Sequence, residues 1–254
     1  DFPVNKTNLF DGIDTTWSRI EGGKEIGLIL YDLEKNFNFK EPSFMIPKLL
    51  EAYELLLNLP QEHWKTIKFK EIKKLIADCL GLYIEAVADQ QNAVRNGEVK
   101  ITIEAINRTN ADIELGSINS TFISFPTTLK PYKLEKNKKI VIESVVGTFN
   151  YKNYSEPYWL NEKGTKGMYQ VSDKNNIGLP EKTMNFPITF QLTINGKNLT
   201  YKKNVVYKYN DPVKGEVYQP FDVLPEATVS IQEKVIIFSD NNAKQIPVTV
   251  RAGK

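Results

Sequence analysis

With 254 residues, the chain has room for two compact units at ~150 residues per domain. Its 41% hydrophobic and 25% charged residues exclude a disordered chain, and no apolar run approaches the ~20 residues of a membrane-spanning helix. A net charge of +2, with arginine only at Arg19, Arg95, Arg108 and Arg251, argues against a nucleic-acid partner.

One cysteine cannot close an intrachain disulfide, and one histidine cannot supply an ordinary zinc site. No metal and no cofactor is therefore expected. The chain opens at Asp1 without an initiator methionine, a basic stretch or an apolar signal segment, so it reads as a processed product or an excised piece of something longer.

Residues 1–23 mix Gly, Asp, Thr and aromatics without a period and read as an ordered lead-in packed through Leu9, Phe10 and Trp17. From Lys24 the apolar residues Ile26, Ile29, Leu30, Leu33 and Phe37 recur at three- and four-residue steps, which predicts a helix over 24–37. A second helical stripe, Ile46, Leu49, Leu50, Tyr53, Leu56 and Leu57, runs to Pro60. Its start lies at Pro42 or, because Pro47 would otherwise remove a required N–H, at Ile46. A third stripe from Trp64 through Ile67, Ile72, Leu75, Ile76, Cys79, Leu80 and Tyr83 to Val87 predicts a helix over 62–89. Gly81 inside it is taken as a site of close backbone approach.

After Gly97 the period falls from 3.6 to 2. Strands are predicted at 99–106, 121–125, 139–144, 188–194, 199–209, 228–231, 234–238 and 247–250, with Asn195-Gly196 as a hairpin turn and 107–110 as a turn-forming cluster. Short strands without intervening helices indicate antiparallel sandwiches. The expected class is α+β: a helical module over 1–96, an antiparallel β-sandwich over 97–222 and an incomplete second sandwich after it. Twelve basic and fifteen acidic groups in 1–96, against twenty-one and sixteen in 97–254, are a solvated difference and not an anion site.

Candidate chemistry is sparse. His63 has no second histidine to make a metal pair, Cys79 lies in an apolar stripe, and no Gly-x-Ser-x-Gly elbow occurs. Gly164-Thr165-Lys166-Gly167 reads as a turn. The acids Asp211, Glu216, Asp222 and Glu226 leave open a glycosidase running on two carboxylates. No catalytic and no metal residue is assigned.

Aromatics are the remaining feature. Tyr151, Tyr154, Tyr158 and Trp159 crowd one stretch, and Tyr201, Tyr207, Tyr209, Tyr218 and Phe221 another. Rings beside Asn and Asp stack on the C–H faces of sugars when exposed, and form sandwich core when turned inward. Tyr154, Tyr158, Trp159, Tyr207, Tyr209 and Asp211 are the candidate glycan contacts.

Several strings carry a family resemblance: Glu156-Pro157-Tyr158-Trp159-Leu160, Gly167-Met168-Tyr169-Gln170-Val171, Ile177-Gly178-Leu179-Pro180-Glu181, and Val206-Tyr207-Lys208-Tyr209-Asn210-Asp211-Pro212-Val213-Lys214-Gly215-Glu216 closing on Tyr218-Gln219-Pro220-Phe221. With Leu9-Phe10-Asp11-Gly12-Ile13-Asp14-Thr15-Thr16-Trp17 and Ile106-Asn107-Arg108-Thr109-Asn110, they resemble the region after the catalytic domain in Bacteroidetes LmbE-like (PIG-L family) deacetylases. The family's His-Pro-Asp-Asp zinc motif has no counterpart here, so no catalytic residue carries over.

The resemblance implies a non-catalytic accessory region of a secreted, periplasmic or cell-surface zinc de-N-acetylase acting on N-acetylglucosamine-type sugars, built of immunoglobulin-like sandwiches, of which the one over 223–254 would keep only its leading strands. Its partners would be the upstream deacetylase domain of the same polypeptide and a glycan. A purely structural spacer is the alternative.

Overall fold

The computed structural model describes residues 10–60, 63–124, 131–149, 154–180, 186–233 and 235–253. Among them the chain is α+β, beginning with three helices, α1 (Gly23–Lys35), α2 (Ile46–Asn58) and α3 (His63–Leu80). The strands are β1 (Tyr83–Ala88), β2 (Asn92–Val94), β3 (Glu98–Ile106), β4 (Ile113–Asn119), β5 (Ile123–Ser124), β6 (Tyr132–Lys133), β7 (Ile140–Phe149), β8 (Pro187–Ile194), β9 (Lys197–Asp211), β10 (Gly215–Pro220), β11 (Asp222–Leu224), β12 (Ala227–Ile231) and β13 (Val248–Ala252). Of the expected lead-in contacts, Leu9 lies outside the described residues, Phe10 is exposed, and Trp17 packs on the core.

The prolines explain where α2 begins. Pro42 opens a 3-10 turn, Pro42–Met45, and Pro47 falls in the first helical turn, where a missing N–H costs nothing. The helix expected over 62–89 stops at Leu80. Gly81 (φ +55°) takes the left-handed position after the helix, with its N–H on Asp78 O (3.0 Å) and the Leu82 N–H on Ala77 O (2.9 Å). This paired Schellman closure satisfies carbonyls that would otherwise be orphaned. Gly81 is thus a helix stop, and the Arg108 side chain lies 3.0 Å from where a Cβ would stand.

Tyr83 and Val87, read as the end of the helical stripe, belong to β1, whose residues Ile84, Ala86 and Ala88 are buried. The sheet therefore starts on the N-terminal side of the expected 96/97 boundary. A nine-stranded mixed sheet runs in the order β5-β7-β3-β1-β9-β8-β4-β6, with β10 also on β9, and β11 pairs β2 separately. Alternation sets the buried face: Val99, Ile101, Ile103 and Ala105 on β3, and Ile188, Phe190, Leu192 and Ile194 on β8.

Asn195 (φ 46°) and Gly196 (φ 78°) turn β8 into β9. Positive φ at both central residues is the type I′ hairpin geometry that Asn-Gly favours. β4 escapes the period-2 pattern because its register slips between Leu115 and Ser117, a bulge at Gly116 that puts Ile113, Leu115 and Ile118 on the inside.

Helices and sheet share one core, with Ile26, Leu49, Leu56, Ile76 and Leu80 in the same cluster as Ile101, Phe190 and Val205. The seam is also polar. Lys73 Nζ donates to Thr200 O (2.9 Å), Tyr201 Oη to Lys73 O (3.0 Å), and Glu54 pairs with Lys197. Buried Asn107 ties the 107–110 turn to the following strands. Its Nδ2 donates to Ala111 O and Leu134 O (both 3.0 Å), and its Oδ1 accepts from the N–H and hydroxyl of Thr109 (both 2.9 Å).

Val223 is fully buried in this core. Beyond it, β12 and β13 form a two-stranded antiparallel ribbon in which every residue is exposed. Residues 235–238, expected to be strand, carry no regular structure.

Candidate functional site

β9 supports two ladders along its length. Residues 197–204 pair with β8, whereas Val205, Val206 and Tyr207 run parallel to Ala86, Val87 and Ala88 of β1, and 206–211 pair with β10. Where the strand changes partners it presents a polar cluster. Lys208 Nζ lies 2.6 Å from Glu85 Oε2 and 3.1 Å from Glu216 Oε1. Tyr83 Oη donates to Glu85 Oε2 (2.7 Å), and Tyr218 Oη donates to Glu216 Oε2 (3.1 Å). A cleft of ≈ 270 Å³ opens beside them, lined by Tyr83, Glu85, Lys203, Asn204, Val206 and Tyr218 among others.

Burial works against the charge on Glu85, but hydrogen bonds from Lys208, Tyr83 and Tyr218 outweigh it and hold the carboxyl below the usual glutamate value. Burial likewise opposes the charge on Lys208, and its hydrogen bonds to Glu85 and Glu216 overcome that and raise it. Burial, then the bond to Glu85, pushes the Tyr83 phenol up. Asp211 accepts the backbone N–H groups of Lys214 and Val213 (both 2.8 Å), which lower its pKa and cap the β9–β10 turn. A general acid at neutral pH needs the opposite shift, so neither Glu85 nor Asp211 is suited to acid catalysis.

Two ring pairs account for most of the candidate glycan contacts. Tyr207 and Tyr209 stack at 6.0 Å with 29° between planes, and Tyr209 is 39% exposed. Tyr158 and Trp159 meet edge to face at 4.9 Å, both half-buried, and Tyr158 Oη donates to Leu179 O (2.9 Å). Tyr154 is exposed; beside it, Ser155 exchanges hydrogen bonds with Val223 of β11. Among the described residues, no ring contact joins the two pairs. Tyr151 lies outside the described residues.

Glu85 and Lys208 were not singled out from the sequence. Glu85 sat in a stretch read as helix, and Lys208 was masked by the tyrosines flanking it. One acid in the otherwise apolar run Ile84-Glu85-Ala86-Val87 was the available signal. Elsewhere, His63 is exposed at the start of α3, and Cys79 is buried, its thiol raised by burial and by Asp78. Thr165 and Met168 close a turn with Gly167 at φ +90°, as expected for 164–167. Among the described residues, no helix is long and apolar enough to cross a membrane.

No protein-family model matches the sequence, and no curated protein matches it significantly. A solved structure of the Pseudomonas fluorescens alkylpurine DNA glycosylase AlkC, bound to DNA containing an abasic site analog, is similar over 69% of this chain at 8% identity with a TM-score of 0.23. The chain spans about half the length of that protein, 50%. A likeness so slight bears on neither fold nor function.

Proposed function

We propose that this chain is a non-catalytic accessory region of an LmbE-like de-N-acetylase, holding an amino-sugar glycan on the tyrosines of β9 near a catalytic domain of the same polypeptide. On this reading the two ladders of β9 belong to an immunoglobulin-like sandwich, β12 and β13 lead into a further such domain, and the parent protein is secreted, periplasmic or cell-surface. The order of the family-like strings supports the origin. The observation that carries the binding role is the stacked pair Tyr207 and Tyr209 on the part of β9 that pairs with β10, with Tyr209 exposed. Near-parallel rings offer flat apolar faces to a pyranose.

The spacer alternative draws support from Tyr158 and Trp159, whose hydrogen bond and mutual packing serve the fold. A glycosidase is disfavoured because Lys208 bridges Glu85 and Glu216 and Asp211 is engaged in its turn. Titration with N-acetylglucosamine oligosaccharides, followed by the ring resonances of the tyrosines, tests the proposal. Saturable shifts that Tyr209→Ala weakens about tenfold are expected. No shift at millimolar sugar would leave only the spacer.

A further inference from the structure

A second aromatic site lies on the helical layer, away from β9. The 3-10 turn Trp17–Arg19, α1, the end of α2 and the start of α3 enclose a cleft of ≈ 340 Å³. That is within the ~300–1,000 Å³ typical of small-molecule sites. Its apolar wall is Trp17, Ile20, Tyr31, Leu56, Leu59 and Trp64. Trp64 and Tyr31 are 41% and 48% exposed, a large aromatic area for packing alone to leave open.

The wall is built. A Cβ on Gly27 of α1 would stand 2.8 Å from Trp17 Cβ, and one on Gly23 would stand 2.3 Å from Trp17 O, so these two glycines are what let Trp17 lie flat on α1. Thr16 caps the turn, accepting the Ser18 N–H. Lys65 Nζ donates to Leu57 O (2.8 Å) and Leu59 O (2.6 Å), closing the end of α2 beside the cleft.

Charge gives the cleft its selectivity. Arg19, Lys65 and Lys68 line it, and among the described residues no carboxylate does. The Arg19 guanidinium lies 5.3 Å from the Trp64 ring centroid, over the aromatic wall. Lys68 also pairs with Glu71 (2.8 Å), an exposed contact that holds it weakly. Asp14 is engaged by Thr16 and lies outside the lining. Lys65 stands in the first turn of α3, where the helix dipole is already positive. That arrangement works against the helix and favours a bound anion.

We infer that this cleft binds a small amphipathic organic anion, an aryl carboxylate or sulfonate, with its ring against Trp17 and Trp64 and its charge at Arg19 and Lys68. The test uses the full chain with Trp159→Phe, which leaves Trp17 and Trp64 as the only tryptophans. The probe is 8-anilinonaphthalene-1-sulfonate, read by energy transfer from those tryptophans, against its uncharged counterpart N-phenyl-1-naphthylamine. Saturable binding of the sulfonate about tenfold tighter than the amine is expected. The double variant Arg19→Gln/Lys68→Gln should erase that preference, and Trp64→Ala should weaken both. Equal affinity for the two probes, a preference that survives the double variant, or a sulfonate affinity unchanged by Trp64→Ala in a protein with an unaltered melting curve would each overturn the assignment.

Discussion

The body of the chain and its C-terminal ribbon use the same sequence pattern to opposite effect. On β8, the apolar residues Ile188, Phe190, Leu192 and Ile194 alternate with polar ones and are buried to the last atom or nearly so. On the ribbon, Val229 pairs with Val250 and Ile231 with Val248 in an equally regular alternation, yet these residues are 53–66% exposed. β8 has helices and a second ladder to cover it, whereas the ribbon has only its own two strands. An alternating pattern reports which face of a strand is apolar; whether anything lies on that face depends on the rest of the fold.

The widest separation between the two regions should come from paired core and ribbon substitutions. Phe190→Ala is expected to lower the stability of the body by about 3–5 kcal/mol in urea denaturation, whereas Val250→Thr should change it by no more than ~0.5 kcal/mol. Equal losses would mean that the ribbon is covered and the contrast fails.

A smaller effect belongs to the polar cluster. Glu85 is more acidic in the folded chain than its ordinary 4.5, so its stabilising contribution is complete above that value and is lost as pH falls through the lower folded value. Lys208 is raised above its ordinary 10.5, so its contribution is complete below that pH and is lost only as pH rises through its folded value. Glu85→Gln should cost about 2 kcal/mol at neutral pH and flatten the acid limb of melting temperature against pH. An acid limb unchanged from the parent chain would show that Glu85 adds nothing to the body.

The smallest effect tests the seam between helices and sheet. Gly81→Ala should cost about 1 kcal/mol, because alanine resists the left-handed conformation and its Cβ meets Arg108. A neutral outcome in the same denaturation assay would show that the seam tolerates a continued helix.

Legibility followed locality. The Asn195-Gly196 hairpin, the alternation of β3 and the stripes of α1 and α2 depend on neighbours a few residues apart, and they were readable. Tyr83 and Val87 misled because a spacing of four fits a helix and also one face of a strand. The deciding residue, Gly81, was visible but was read as a helix interior. β10 (Gly215–Pro220) has no apolar alternation to detect and exists because β9 offers it an edge. Of the candidate site, Tyr207 and Tyr209 were legible as a strand pair. Glu85 and Lys208, 123 apart in sequence, meet only because β1 and β9 run side by side.

The sequence by itself determined the class of elements, the helical stripes, the tight hairpin and the single histidine and single cysteine, because each is a property of composition or of short-range stereochemistry. Only the tertiary structure decided that β9 changes partners at Asn204, that Lys208 bridges Glu85 and Glu216, and that Trp17 and Trp64 face one cleft. Those juxtapositions arise from chain segments far apart in sequence, brought together by burial of a shared core, and no local pattern encodes which distant segment will be the neighbour.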